Sequence, residues 1–139
     1  TLLVIGQPSQ GSGRYAAAVR GAAGGNVRFR DRVDHAEMAA IWRGAKACVQ
    51  ASYIETPGLS AMEALAAGTP IVVADVPPVR EYFGDLAHYC DPASPRSIAR
   101  ACRAAMAGPS PDGEAFADRY AWTKALAPLA DAYDELTRI

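Results

Sequence analysis

The sequence predicts an α/β domain in which a parallel sheet carries helices on both faces. Strand-like and helix-like segments alternate five times along the chain, the pattern of a parallel sheet joined by crossover helices. The strand-like runs are short and apolar, bounded by glycine, proline or polar residues. With 139 residues, half of them hydrophobic, there is enough chain for one domain with a real core.

Leu2 to Ile5 is a continuous apolar run stopped by Gly6, which predicts a buried strand. Gln7 to Gly13 is a polar loop. Arg14 to Ala23 is Ala-rich and helical, and Gly24-Gly25 ends it. Val27 to Arg30 is the second strand. Asp34 caps a helix whose Met38, Ile41 and Trp42 share one face. Ala47 to Ala51 is the third strand. A turn containing Pro57 and Gly58 leads to a helix in which Ser60 is the cap and Glu63 falls at the third position, a capping-box arrangement. Gly68, followed by Thr69-Pro70, stops that helix. Ile71 to Ala74 is the fourth strand. Pro77-Pro78 opens a short helix ending near Gly84. Ala87 to Cys90 is the fifth strand, and Ser94 caps a helix running to about Ala107. These five units fill residues 1–108. Pro109-Ser110-Pro111 then breaks the chain, and residues 109–139 form a C-terminal helical region, in two pieces, with a stripe of Trp122, Leu126, Leu129, Tyr133 and Leu136.

Several functions are excluded by the totals. A net charge of −1 gives no basis for binding nucleic acid or an anionic membrane surface. No apolar run approaches the roughly 18–20 residues that span a bilayer. Thr1 to Ile5 is too short for a signal peptide and has no basic region before it. Cys48, Cys90 and Cys102 are odd in number and lack metal-ligand spacing, so reduced thiols in a cytoplasmic protein are the expectation.

The chemistry concentrates between Ser52 and Gly68. A turn that leaves a strand and opens a helix presents unpaired backbone N–H groups and the positive end of the helix dipole. Gly58 lets a ligand approach the backbone, placing an anion near the amides of Leu59, Ser60 and Ala61. Glu55 and Glu63 bracket the turn with seven residues between them, and each carboxylate can accept hydrogen bonds from a vicinal diol. A phosphate flanked by two diol-reading acids describes a nucleotide sugar.

The Glu-x7-Glu of SYIETPGLSAMEALAAGTPIVVAD resembles the donor-site motif of family 4 (group 1) retaining glycosyltransferases, which have the two-domain GT-B architecture. On either side, NVRFRDRVDHAEMAAIWRGAKACVQAS, REYFGDLAHYCDP and YAWTKALAPLADAY resemble neighbouring elements of the same C-terminal, Rossmann-like donor domain, so the likeness covers nearly the whole chain. The resemblance implies that Glu55 hydrogen-bonds the donor sugar and orients it near the anomeric carbon, a catalytic role. It implies that Glu63 binds the ribose hydroxyls, and that Gly58, Leu59 and Ser60 supply backbone contacts to the diphosphate and sugar. Thr56 and Pro57 replace a glycine and an aromatic residue common in the family, and Ser60 often corresponds to proline; these departures bear on sugar preference.

Each site residue also has a simpler reading. Glu63 can serve only its own helix start, and Glu55 can be a solvated turn acid. Arg28, Arg30 and Arg32 alternate as an outward strand face would, so solvated charge is the simpler reading of the Arg30–Val33 loop, whose family counterpart meets the base. Gly11-x-Gly13 is only half of a dinucleotide loop. Glu81 matches a family position but also suits a helix first turn. His35 and His88 have no partner acid and are expected at surface or edge positions. No Asp-x-Asp motif is present, and a metal-independent site without cofactor is expected.

In the resembled family the domain opens with one further strand and helix. That strand lies at the centre of the sheet, and the segment carries the cations that meet the diphosphate. The chain therefore resembles a fragment of a longer enzyme whose N-terminal acceptor domain is the missing partner. Any membrane association would be peripheral and reside in that half. Two arrangements follow for the central slot: direct pairing of Leu2–Ile5 with Ala47–Ala51, or filling by another chain. The activity implied is transfer of a hexosyl group from a UDP- or GDP-sugar to an acceptor hydroxyl with retention, the fragment alone being inactive. The alternative is a non-catalytic nucleotide-sugar-binding or assembly domain, and homo-oligomerisation stays open. A receiver domain would need acids where Gly6-Gln7 and Ala51-Ser52 stand, and a hydrolase would need a nucleophile elbow that is absent.

Overall fold

The computed structural model describes residues 1–138. It is an α/β structure with two compact units, the first reaching to Met38 and the second beginning at Ala39, so that the boundary falls inside a helix.

In the first unit, β1 (Leu2–Ile5) and β2 (Val27–Arg30) pair in parallel with Leu2 opposite Val27, and α1 (Gly13–Ala22) connects them. The expectation that Leu2–Ile5 is buried does not hold: Leu2, Leu3 and Val4 are 51%, 37% and 38% exposed. A parallel strand is buried when layers cover both its faces and strands flank both its edges. In this pair β1 has a single neighbour. Arg20 lies over the ring of Phe29 at 4.9 Å and reaches Asp31 at 3.0 Å. Asp34 caps α2 (His35–Gly44), its Oδ1 accepting from the Glu37 amide at 2.7 Å. Arg30 is ion-paired to Glu37, in keeping with a solvated charged face.

The second unit has a three-stranded parallel sheet in the order β3 (Cys48–Gln50), β4 (Ile71–Ala74), β5 (Ala87–Cys90). All four residues of β4 are buried, because the central strand has helices on both sides. Ile71 and Val73 face a cluster with Cys48, Ala61, Ala64, Leu65, Val79, Phe83 and Phe116. Val72 faces the other way, toward Cys90, Ala101 and Ala105. The first layer comes from α3 (Leu59–Ala66), α4 (Val79–Phe83) and α6 (Gly113–Arg119), the second from α5 (Pro95–Ala107). Ser94 caps α5 as expected, and Asp112 caps α6. One turn of 3-10 helix (Gly84–Leu86) precedes β5.

Two expectations are corrected. The direct pairing of Leu2–Ile5 with the third strand is not formed among the described residues: β1 bonds only β2, and β3 bonds only β4, giving two sheets. Among its described residues the C-terminal region has three helices, with α7 (Trp122–Ala125) and α8 (Ala127–Thr137) after α6, because the chain turns at Tyr120-Ala121 and again at Leu126. The apolar stripe lies on these last two helices, and Trp122, Leu126, Leu129, Tyr133 and Leu136 are all exposed.

Candidate functional site

Ligands of open parallel α/β sheets bind beyond the carboxyl ends of the strands. Here β3 ends at Gln50, and the chain turns through Ser52–Pro57 into α3. The Thr56–Pro57 peptide is cis, as is Pro77–Pro78. Gly58 then takes φ +84° and ψ +58°, a left-handed conformation that costs a residue with a β-carbon about 1–2 kcal/mol. This places Gly58, not Ser60, at the helix cap. Leu59 is the first helical residue, and Glu63 stands fifth rather than third, so the capping box is not made.

The missing cap is supplied from elsewhere in the chain. Gln50, at the end of β3, accepts the Ala61 N–H through Oε1 at 3.2 Å and donates through Nε2 to Glu55 Oε2. The Gly58 carbonyl also accepts from Ala61 N at 2.9 Å and Met62 N at 3.0 Å. Leu59 and Ser60 are the first two helical residues, so their amides have no acceptor within the helix.

The structure thus brings most of the expected site residues to one place. Glu55 is half-buried and held by Gln50; Gly58 is buried; Leu59 and Ser60 are exposed at the helix start. Glu63 is exposed one turn further along the same helix. The Glu55 carboxylate is separated from the Ala61 amide by a single carboxamide. A diphosphate at the free amides and a hydroxyl-rich group at the carboxylate are what this arrangement can hold.

Sequence reasoning missed Gln50. The available signal was a lone polar residue ending an apolar strand just before the turn. It also missed a second feature, at the ends of β4 and β5. Asp75 receives two hydrogen bonds from Arg80, at 2.6 and 2.8 Å, and the guanidinium lies 4.2 Å from the ring centre of Tyr89. The hydrogen bond from Arg80 lowers the Asp75 carboxyl below its ordinary range, and the same bond raises Arg80. Burial, ahead of the nearby charges, raises the Tyr89 phenol. Because the strands are parallel, this pair lies at the same end of the sheet as Gln50. Glu81 is exposed in the first turn of α4, His35 is exposed, and His88 is half-buried in β5. An open depression of about 900 Å³ at the start of α5, lined by residues including Asp91, Ser94, Arg96 and Arg100, contains none of the expected site residues.

Fold and site together give an α/β structure with a glycine-started helix turn, carrying a carboxylate and two amides without helical acceptors, at the carboxyl end of its three-stranded sheet. Comparison with known proteins gives the family. The glycosyl transferases of group 1 match residues 1–122, and the chain belongs to that family. It is 35% identical over 149 aligned residues to a D-inositol 3-phosphate glycosyltransferase of Streptomyces bingchenggensis, covering 97% of this chain and 32% of the relative. A glycogen synthase of Mycobacterium tuberculosis is 35% identical over 86 residues, covering 60% and 21%. Among solved structures, the sucrose-phosphate synthase of Thermosynechococcus elongatus superposes with a TM-score of 0.80 at 25% identity, over 99% of this chain and 38% of that one. The chain therefore spans between 21% and 38% of the length of these relatives. The match to the synthase carries the GT-B fold. Among the described residues no helix is long and apolar enough to cross a membrane.

Proposed function

We propose that residues 1–139 are the nucleotide-sugar-binding part of a retaining glycosyltransferase that moves a hexosyl group from a UDP- or GDP-sugar to an acceptor hydroxyl. The observation that carries this reading is the turn from β3 into α3. It puts the Glu55 carboxylate and the open helix start within reach of one ligand, on a chain that belongs to a glycosyl transferase family. The diphosphate sits at the amides of Leu59 and Ser60, with Gly58 giving room. Glu55 accepts hydrogen bonds from the sugar and orients its anomeric carbon, and Glu63 accepts from the ribose hydroxyls. As the glycosidic bond breaks, the leaving diphosphate gains charge, and preoriented amides stabilise it without reorganising. Retention follows from attack on the face from which the diphosphate departs. The site relies on amides and cations, with no metal ion or cofactor. Transfer itself needs the acceptor held against the donor, a task for the remainder of a longer, cytoplasmic protein.

The test is ligand-observed NMR with UDP-glucose, GDP-mannose, UDP and GDP, on the wild-type chain and on Glu55→Ala and Glu63→Ala. The expected result is a sugar nucleotide that binds better than its own diphosphate, with that advantage lost in Glu55→Ala. Losing the charge-assisted bond weakens sugar-nucleotide binding by about 1.5–3 kcal/mol. Equal binding of sugar nucleotide and diphosphate, or an unchanged Glu55→Ala, would refute the donor assignment. Chelation with EDTA is expected to leave binding unaltered.

A further inference from the structure

We infer that Gln50 is the positioning residue of the donor site, fixing the Glu55 carboxylate against the start of α3; this rests on the donor reading above for its functional meaning. A glutamine side chain carries one carbonyl acceptor and an amide donor on the same carbon. Both are used here, the oxygen on Ala61 N–H and the nitrogen on Glu55 Oε2. The partners also fix the orientation of the amide. Reversing it would set an NH2 against the Ala61 N–H and an oxygen against a carboxylate. Ionised glutamate at this position offers only acceptors, lysine only donors and methionine no more than a weak thioether acceptor. The carboxamide supplies both a strong acceptor and a donor from one carbon.

The bridge is anchored at both ends by the fold. Gln50 pairs with Val73 at the end of β3, next to the fully buried central strand, so its backbone cannot drift. Gly58 lies directly beneath the bridge. A β-carbon on Gly58 would stand 3.3 Å from Gln50 Oε1 and 3.3 Å from Glu55 Cγ. The glycine therefore serves the bridge as well as the turn. Gln50 and Glu55 are both half-buried, where a hydrogen bond is less weakened by water than at the surface. Tyr53, Ile54 and Thr56 beside Glu55 are exposed, so without the bridge its carboxylate is expected to sample more rotamers. The cost of ordering it would then fall on the ligand.

The experiment compares wild type with Gln50→Met and Gln50→Glu in the 1–139 chain. In the absence of ligand, the side-chain carboxyl carbon-13 signal of Glu55 is expected to move in both variants, because both lose the donor. Ala61 N–H also donates to the Gly58 carbonyl at 2.9 Å, and Gln50→Glu retains its second acceptor, so the exchange protection of that amide is expected to persist in Gln50→Glu and to fall only in part in Gln50→Met. In Gln50→Met, the affinity ratio of UDP-glucose to UDP, or of GDP-mannose to GDP, is expected to drop roughly tenfold, the size of one charge-assisted hydrogen bond. Diphosphate binding alone is expected to change little. A residue acting only as a helix cap would leave that ratio unchanged. An unmoved Glu55 signal in both variants, or an unchanged ratio beside a moved signal, overturns the inference. Failure of wild type to prefer any sugar nucleotide overturns the donor reading instead, and the Glu55 signal still decides whether Gln50 holds the carboxylate.

Discussion

Gly113→Ala adds a single methyl group where the structure has no room for it. Gly113 is buried at the first position of α6, against the end of α3, the helix that carries the candidate site. A β-carbon there would stand 2.5 Å from the Ala66 carbonyl oxygen, 2.7 Å from the Gly68 nitrogen and 2.9 Å from the Ala66 carbonyl carbon. All three are backbone atoms, so no rotamer change relieves the contact. Ordinary contact begins at 3.4 Å, so the two helices must part by about 0.9 Å, the difference between 3.4 and 2.5 Å. Interiors are packed too densely to absorb that locally. The movement also draws Phe116, 4% exposed, away from Phe83, its stacked neighbour at 6.2 Å. Overpacking costs about 1–3 kcal/mol, and the backbone contacts and the Phe116 displacement put this case near the upper end. For a unit of this size the melting temperature falls by roughly 8–20 °C. Thermal unfolding followed by circular dichroism reads it directly. Gly44→Ala is the control: it ends α2, a β-carbon there meets nothing within 4 Å, and it is expected to be neutral or slightly stabilising. If Gly113→Ala melts within about 2 °C of wild type, the packing argument fails.

Two further predictions concern the same core. Thr69 is 2% exposed and donates its hydroxyl to the Trp42 carbonyl; Thr69→Val is expected to cost about 1–2 kcal/mol in urea unfolding, with Thr69→Ser recovering part of it. Burial pushes the Cys48 thiol from 9.0 up to about 12, so the folded state keeps its proton while the unfolded state begins to lose it near pH 9. The contribution is full below that pH and is lost between about 9 and 12, at up to about 1.4 kcal/mol per pH unit. Cys48→Ala is expected to flatten that part of the stability profile. An unchanged slope would refute the assignment.

What the sequence by itself determined is what depends on neighbours along the chain. The Ile71–Ala74 run reads as a strand because four consecutive apolar residues between Pro70 and Asp75 suit one, and all four are buried. Asp34 and Ser94 read as caps because the amides they accept from lie three residues ahead. Glu55, Gly58, Leu59, Ser60 and Glu63 could be proposed together as candidates because the turn and helix that carry them are a single continuous segment. The tertiary structure decided the rest. Gly58 took the cap from Ser60 because its left-handed conformation starts the helix early, and because Gln50, eleven residues back from Ala61, supplies the acceptor. No local pattern announces a contact made by a strand end reaching over a turn. Leu2–Ile5 has a buried strand's composition yet Leu2, Leu3 and Val4 lie exposed, since burial belongs to the layers around a strand and not to its residues. Nothing in the residues around Gly113 marks it, and only the approach of Ala66 and Gly68 makes its missing side chain a requirement. Propensities and caps act over a few residues, whereas close packing and side-chain bridges depend on which distant segments the fold brings together.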